Sequence, residues 1–295
     1  MLFTSISIFL VLSTYICSKN NSNIIYNRLG IISLFYVLYI FINSIDVISI
    51  SNGINLYNNN ILLKLINIPM IVLILIFIII WLVYSGIKNE LVIYNGNLYI
   101  LIITNTLSLI YLPLINDIIM LYVIIELQSY TLYIISGIYN KSYNSTKASI
   151  LYFITGGIAS TLILISIYFL YKETGTMNLN EIHIFNEYNS ITDYMLTIGL
   201  LFKMGMAPLH RWSISVYNYT PTYITTYISI VAKLSITTLL ISNYWLFNIS
   251  ILLIFTYVSL LLGSYKPLYQ INIKVILAYS GILNFGYILL SIISY

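Results

Sequence analysis

Ten long apolar runs divide this sequence, and they restrict its fold more than any other feature. They are Leu2–Cys17, Leu29–Ser49, Ile61–Tyr84, Leu98–Leu114, Asn116–Tyr139, Lys147–Tyr171, Asp193–Tyr219, Thr222–Ser242, Trp245–Ser264 and Lys274–Ser294. A helix needs roughly 20 mostly apolar residues to cross the hydrocarbon core, with about 17 as a lower limit. In that medium every backbone N–H and C=O must be satisfied inside the protein, which leaves helices or closed barrels. The runs are continuous and lack the alternation of barrel strands. The expected fold class is all-α: a polytopic membrane protein of about ten transmembrane helices. The first run has no basic leader, no small-residue cleavage site and no Arg-rich transit pattern, so it reads as a retained span.

Composition agrees. Of 295 residues 60% are hydrophobic and 7% charged, against about 25% charged in a soluble domain. Such a chain cannot cover itself with polar surface, and its mean hydropathy is +0.96. The single cysteine, Cys17, reads as packing, which excludes an internal disulfide framework and a Cys-based zinc or iron–sulfur site. The two histidines, His183 and His210, are too few and too far apart for a metal site. No P-loop, GxGxxG or soluble domain is found, and Asn58–Asn60 reads as a short polar turn. The abundance of Ile, Asn and Tyr, with 30 Tyr, fits an AT-rich gene of the organelle kind.

Loop charges set an orientation. Connections on the cytoplasmic-type side of a membrane are enriched in Lys and Arg. With the N-terminus outside, the inner connections carry Lys19, Arg28, Lys88, Lys141, Lys147, Lys266 and Lys274. The outer ones carry Asp46, Asp117, Glu173, Glu181, Glu187 and Asp193, with Lys64 and Lys172 as the outer cations. The one long connection, Tyr171–Asp193, reads as a solvated outer loop.

Three charges lie away from the span ends: Glu126 near the middle of span five, Lys203 of span seven and Lys233 of span eight. Each costs roughly 2.5–3.5 kcal/mol at a helix centre, and such groups mark ion or proton pathways. A structural ion pair is the alternative, but one acid and two bases leave a positive charge over. Burial disfavours a charged lysine and a nearby carboxylate favours it, so a change in the Glu126–Lys203 distance can move a proton. Moving one charge across 100 mV takes about 2.3 kcal/mol, and a swing of two pKa units is worth about 2.7 kcal/mol.

GLLFKMGMAPLHRW, Gly199 to Trp212, holds Lys203 beside two helix breakers. Pro208 removes a backbone donor and clashes with the carbonyl of Met204, four residues back, and Gly205 adds local freedom. The sequence predicts a broken seventh helix next to Lys203. Broken backbone at mid-membrane is tolerated where it is buried in protein or lines a wet cavity, and it recurs in ion-coupled transporters. His210 stands one to two turns on, either as a proton relay or as a packed, hydrogen-bonded residue.

IELQSY (Ile125–Tyr130), KASILYFITGG (Lys147–Gly157), GLLFKMGMAPLHRW (Gly199–Trp212) and KVILAYSGILNFGY (Lys274–Tyr287) occur in this order. Together they resemble the antiporter-like membrane subunits of mitochondrial NADH:ubiquinone oxidoreductase (complex I), chain 2 type, in a fungal-looking form. The similarity runs from about the fourth span onward. The resemblance implies a multi-pass protein of the inner mitochondrial membrane, mitochondrially encoded, with its N-terminus toward the intermembrane space. It implies other membrane-arm subunits and inner-membrane lipids as partners, and no nucleic acid. NADH, FMN, iron–sulfur clusters and ubiquinone would be bound by other subunits, with no redox cofactor or metal in this chain.

By the same resemblance, Glu126 pairs with Lys203, and Lys233 continues a polar axis, as a proton relay. Lys147 and Lys274 are further candidates, each equally explained by snorkelling at a span end. Three N-terminal spans (1–97) precede a first five-helix unit (98–242). The sequence ends at Tyr295, so 243–295 reads as the start of a second unit, truncated before its own broken helix and lysine. A stand-alone cation/proton antiporter predicts ion exchange without partners. A non-pumping scaffold predicts that Glu126→Gln and Lys203→Met lower assembly and leave pumping intact.

Overall fold

The computed structural model describes residues 23–51, 54–56, 61–64, 67–87, 97–139, 142–184 and 190–294. The first run with Cys17, and Lys19, Asn58–Asn60, Lys88, Lys141 and Glu187, lie outside the described residues. The helices are α1 (Asn23–Ser51), α2 (Ile68–Ile87), α3 (Asn97–Tyr111), α4 (Ile118–Ser136), α5 (Tyr143–Thr174), α6 (Leu179–Ile184), α7 (Ser190–Met204), α8 (Arg211–Tyr219), α9 (Thr222–Ser242), α10 (Ile249–Tyr265) and α11 (Ile273–Ser294). By length and apolarity α4, α5, α9, α11 and α10 with its 3₁₀ extension to Tyr269 can each cross a membrane. Arg28–Asn43, Ile68–Tyr84 and Leu98–Leu114 are shorter apolar helical stretches.

Helix limits follow from local chemistry. The third apolar run does not begin as helix: β1 (Ile54–Leu56) pairs antiparallel with β2 (Ile61–Leu63), Leu56 opposite Ile61. Pro69 stands in the first turn of α2, where its missing N–H costs nothing, and it would clash in a helix extended upstream. Pro113 likewise converts the end of the fourth run into a 3₁₀ turn, Leu112–Leu114. Asp117 and Asn248 cap α4 and α10 by accepting backbone N–H bonds.

The expectation for Tyr171–Asp193 needs correction. α5 runs on to Thr174, and the short helix α6 folds back, with Leu179 and Ile182 buried. Leu179 N donates to Asn116 O (2.7 Å) and Ile118 N to Met177 O (3.0 Å). Glu181 stands on this short helix, which folds over the start of α4 because Leu179 and Ile182, three residues apart, give it an apolar side to bury.

The seventh run is two helices, α7 and α8, joined by residues 205–210. Its break lies beside Lys203, but Pro208 does not make it. Gly205 has a φ of +68°. Its N–H donates to Phe202 O (2.9 Å), and Met206 N donates to Leu201 O (3.1 Å). That pair of bonds is a Schellman cap, which needs a left-handed residue just past the helix. Pro208 follows in the connection, exposed, after a cis peptide from Ala207. Trp212 Nε1 donates a further bond to Phe202 O (3.0 Å).

The helices pack in neighbouring pairs: α1 with α2, α4 with α3 and α5, α5 with α7 and α8, and α10 with α11. One apolar cluster joins α1, α2, α3, α8 and α9, with Leu132 and Tyr133 of α4 and Tyr152 of α5, around Phe41, Leu75, Ile78 and Tyr227. A second joins α4, α5, α7, α10 and α11 around Leu121, Ile163, Leu200 and Leu289. The outward faces remain apolar, with Ile80, Phe153, Ile158, Leu253 and Leu277 exposed.

Gly205→Ala should destabilise the protein. A left-handed non-glycine residue costs about 1–2 kcal/mol, and the added Cβ would stand 2.8 Å from Ser213 Cβ. The check is the thermal unfolding midpoint in detergent, with Gly281→Ala as the control. At Gly281 an added Cβ meets open space, so that variant should keep the parent midpoint.

Candidate functional site

Glu126 projects from the middle of α4, and Lys203 from the last turn of α7. Lys203 Nζ donates to Glu126 Oε1 at 2.6 Å. It is the ion pair found among the described residues. The side chains are only 8% and 12% exposed, Lys203 and Glu126 respectively. The Schellman cap puts Lys203 where the helix presents its carbonyl end, and a cation there interacts favourably with the helix dipole. Local chain chemistry therefore fixes both the place and the charge environment of this lysine.

Beside Lys203 is a cavity of about 30 Å³, lined by Ile125, Gln128, Ser129 and Leu132 of α4, with Phe202 and Ala232 among the facing groups. The α4 residues stand at i, i+3, i+4 and i+7, one face of a helix. Aromatic rings close it. Tyr133 meets Tyr152 edge-on (4.7 Å between centroids), and Tyr152 stacks on Trp212 (5.0 Å). Gly156, in the KASILYFITGG stretch, makes the room: a Cβ there would overlap the Tyr133 hydroxyl. The cavity is thus walled by residues of both apolar clusters, Ile125 from one and Leu132 and Trp212 from the other.

A buried polar chain runs behind this wall, and the sequence reading missed it. Tyr227 on α9 donates to Asn105 Oδ1 on α3 (2.8 Å). Asn105 Nδ2 donates to Thr131 Oγ1 (2.7 Å) and to the Gln128 carbonyl (3.1 Å), both on α4. Gln128 Nε2 donates to Ser235 Oγ on α9 (3.1 Å). Asn105, Tyr227 and Ser235 are fully buried. The available signal was neutral polar residues inside apolar runs, Asn105 in the fourth above all, where only formal charges had been followed.

The other predicted residues divide into separate places. Lys233 is buried on α9, 2% exposed. Among the described residues it has no carboxylate partner. Its ammonium lies 5.1 Å from the Phe285 ring centre and 5.8 Å from that of Tyr217, within cation–π range. It shares a cavity of about 260 Å³ with Lys274, Thr225, Thr226, Ser229 and Asn284. Lys274 Nζ donates to Thr220 O (2.8 Å), the C-cap residue of α8. Lys147 is exposed, with its ammonium 5.0 Å from the Tyr219 ring centre. His210 is buried at the N-cap of α8; its Nδ1 donates to Pro208 O (3.1 Å) and its ring faces Tyr279. His183 is exposed on α6 against the Trp245 ring. Among the described residues no group of three or more His, Cys, Asp or Glu side chains comes together to hold a metal.

Comparison with known proteins matches this arrangement to a family. The chain is 46% identical over 288 residues to the NADH-ubiquinone oxidoreductase chain 2 of Debaryomyces hansenii, covering 97% of this chain and 63% of that protein. The chain therefore spans less than two thirds of that relative's length. Its fold superposes on a chain of respiratory complex I from Thermus thermophilus with bound aureothin, with a TM-score of 0.84 at 20% identity, over 99% of this chain and 64% of that one. It superposes equally on a chain of the membrane-bound sulfane sulfur reductase, an archaeal respiratory membrane complex, with a TM-score of 0.86 at 20% identity, covering 99% and 63%. The model of the family described as NADH:quinone oxidoreductase/Mrp antiporter, TM, matches residues 115–295. That match takes in Glu126, Lys203 and Lys233 together, and the chain belongs to the NADH:quinone oxidoreductase/Mrp antiporter membrane family.

Proposed function

We propose that this chain is a membrane-arm subunit of mitochondrial respiratory complex I that contributes to proton translocation driven by electron transfer from NADH to ubiquinone. The observation that carries the reading is the buried Glu126–Lys203 pair at the end of α7. A buried pair is weak support for stability alone, whereas intramembrane ionisable groups belong to ion pathways. The family match and the likeness to a fungal chain 2 support the choice of complex.

In this reading Lys203 carries the proton, Glu126 sets how readily it is released, and Lys233 passes it on. Lys274 shares the Lys233 cavity and is the next candidate along that line. His210 and Lys147 remain secondary. The redox groups belong to other subunits. We take the chain to cross the inner membrane about ten times with the N-terminus outside, α7 and α8 forming the broken seventh span of a unit at 98–242. Contacts between termini favour that alternation. Lys64 Nζ reaches the Ser242 carbonyl (3.5 Å) on the outer side, and Lys274 reaches Thr220 on the inner side. The apolar outward faces suit lipid and neighbouring subunits. A stand-alone antiporter is the second reading, favoured by the Mrp antiporters in the same family.

Two measurements test this. Mass spectrometry of the NADH-oxidising band from a native gel of mildly solubilised membranes should find peptides of this chain; their absence, with ion exchange by the isolated chain in proteoliposomes, would favour the antiporter. Lys203→Ala should slow coupled proton transfer through this chain about 10²-fold or more, the range for a lost proton-transfer group, and so lower the protons moved per NADH oxidised in sealed vesicles. Removing one partner of a buried pair also destabilises, by about 3–5 kcal/mol. The neutral double variant Glu126→Gln with Lys203→Met therefore separates the two effects. Normal pumping in an assembled double variant would reject the relay and leave a scaffold.

A further inference from the structure

Gln128 has a position that the relay does not explain. It stands on the cavity face of α4, two residues past Glu126, and is 4% exposed. A buried amide without partners costs about 1–3 kcal/mol, so its retention calls for a reason. It is held at three points. Its side-chain Nε2 donates to Ser235 Oγ (3.1 Å) on α9. Its backbone carbonyl accepts from Asn105 Nδ2 (3.1 Å) on α3 and from Thr131 Oγ1 (2.7 Å) on its own helix. Ser235 Oγ donates to the Ala232 carbonyl (2.9 Å), the shorter of its two acceptor contacts, and also lies 3.4 Å from the Gln128 amide oxygen, so both ends of the amide meet this hydroxyl. The amide oxygen has two lone pairs, so beside its long contact with Ser235 it keeps one acceptor position for the cavity.

The cavity of about 30 Å³ between Gln128, Ser129 and Lys203 exceeds the ~10–15 Å³ that one water requires, and a water there needs two to four polar partners. The Lys203 ammonium, the Gln128 amide oxygen and the Ser129 hydroxyl are of the right kinds: a donor, an acceptor and a group that can be either. The rest of the wall, Ile125, Leu132 and Phe202 among it, is apolar and fixes the volume.

We propose that Gln128, clamped by Ser235 and Asn105, is a positioning residue of the Lys203 site that seats one ordered water against the lysine, on the side away from Glu126. Lys203 then has two neighbours of opposite use. Glu126 holds the ammonium in place, and the seated water receives the proton when the lysine gives it up. The clamp ties this geometry to α9, which carries Lys233 two residues before Ser235. Asn105 and Tyr227 use their amide and hydroxyl groups on one another and on α4, and so hold the backbone at Gln128 rigid.

The inference rests on the proton-relay reading above, and its test distinguishes the two. Gln128→Leu and Ser235→Ala are compared with Lys203→Ala in the assembled complex, in sealed native membrane vesicles. Protons moved per NADH oxidised and the solvent deuterium isotope effect on coupled turnover are the readouts. Loss of the seat should lower coupled proton transfer about two- to tenfold, the range set by one hydrogen bond, and raise the isotope effect, with normal complex content on a native gel. A purely structural role would change complex content and leave the isotope effect at the parent value. If Gln128→Leu fails to assemble, Ser235→Ala decides alone, since it removes the clamp and keeps the Gln128 side chain. Parent coupling and isotope effect in Ser235→Ala overturn the inference. If Lys203→Ala also pumps normally, the relay itself falls.

Discussion

A lysine held away from water has to be compensated within a few ångströms, and much of this structure is arranged around that requirement. Lys203 meets its carboxylate at 2.6 Å. For the contact to exist, α7 must end where it does, α4 must present Glu126 toward it, and α5 must let both approach. Each condition has a separate chemical cause. The Schellman cap at Gly205 stops α7 one residue beyond the lysine. Asn105 and Ser235 fix α4 at Gln128, two residues past Glu126. The bare backbone of Gly156 lets Tyr133 lie flat enough for its ring to close the cavity with Tyr152. Breaking a buried pair is costly because the survivor is left unpaired, so these packing details are enforced by electrostatics as much as by apolar burial.

The parts of this that could be read in the sequence are those written in formal charge and in breaker residues. Glu126 and Lys203 stood out because a charge in an apolar run has few innocent explanations, and the structure brings them together. A helix end near Lys203 was also legible, but Pro208 is not the residue that makes it. Pro208 drew attention because it is incompatible with helix interiors. The hydrogen bonds show the chain already turned out of the helix by Gly205, three residues earlier. The β1–β2 pair was invisible because each strand is three residues long, and β2 merges with the apolar run behind it. The α6 flap was masked by its acidic composition, although Leu179 and Ile182 were there to be buried. Neutral polar residues were the largest omission. Asn105 belongs to one apolar run and Tyr227 and Ser235 to another, with nothing in their spacing to say that they meet through α4, and only the packing reveals that they do.

The fold by itself does not say which respiratory machine the chain serves, since nearly the same superposition is obtained with a complex I chain and with a sulfane sulfur reductase chain at 20% identity. Function lives in the sites that a fold carries. Here the sites come in two sorts. One is tight: a paired lysine beside a cavity of about 30 Å³. The other is roomy: Lys233 and Lys274 on about 260 Å³, with hydroxyl and amide groups and no acid of their own among the described residues. A proton moving from the first to the second would leave a compensated environment for one lined by two cations, and that passage is uphill unless something else changes the charge balance.

The junction between α7 and α8 is often where motion would be sought, because an interrupted helix invites bending. Its hydrogen bonds argue for the opposite. Two of the last four carbonyls of α7, Leu201 and Phe202, are bonded, and Phe202 O is reached a second time by the Trp212 indole from beyond the break. Trp212 is itself stacked on Tyr152 of α5. The end of α7 is a corner braced from both arms. With that corner held, rotation about the lysine's own side-chain bonds is the most direct way to change the separation of Lys203 from Glu126. A four-carbon stem pivoting on an immobile corner can sweep an ammonium over several ångströms while the backbone around it stays still.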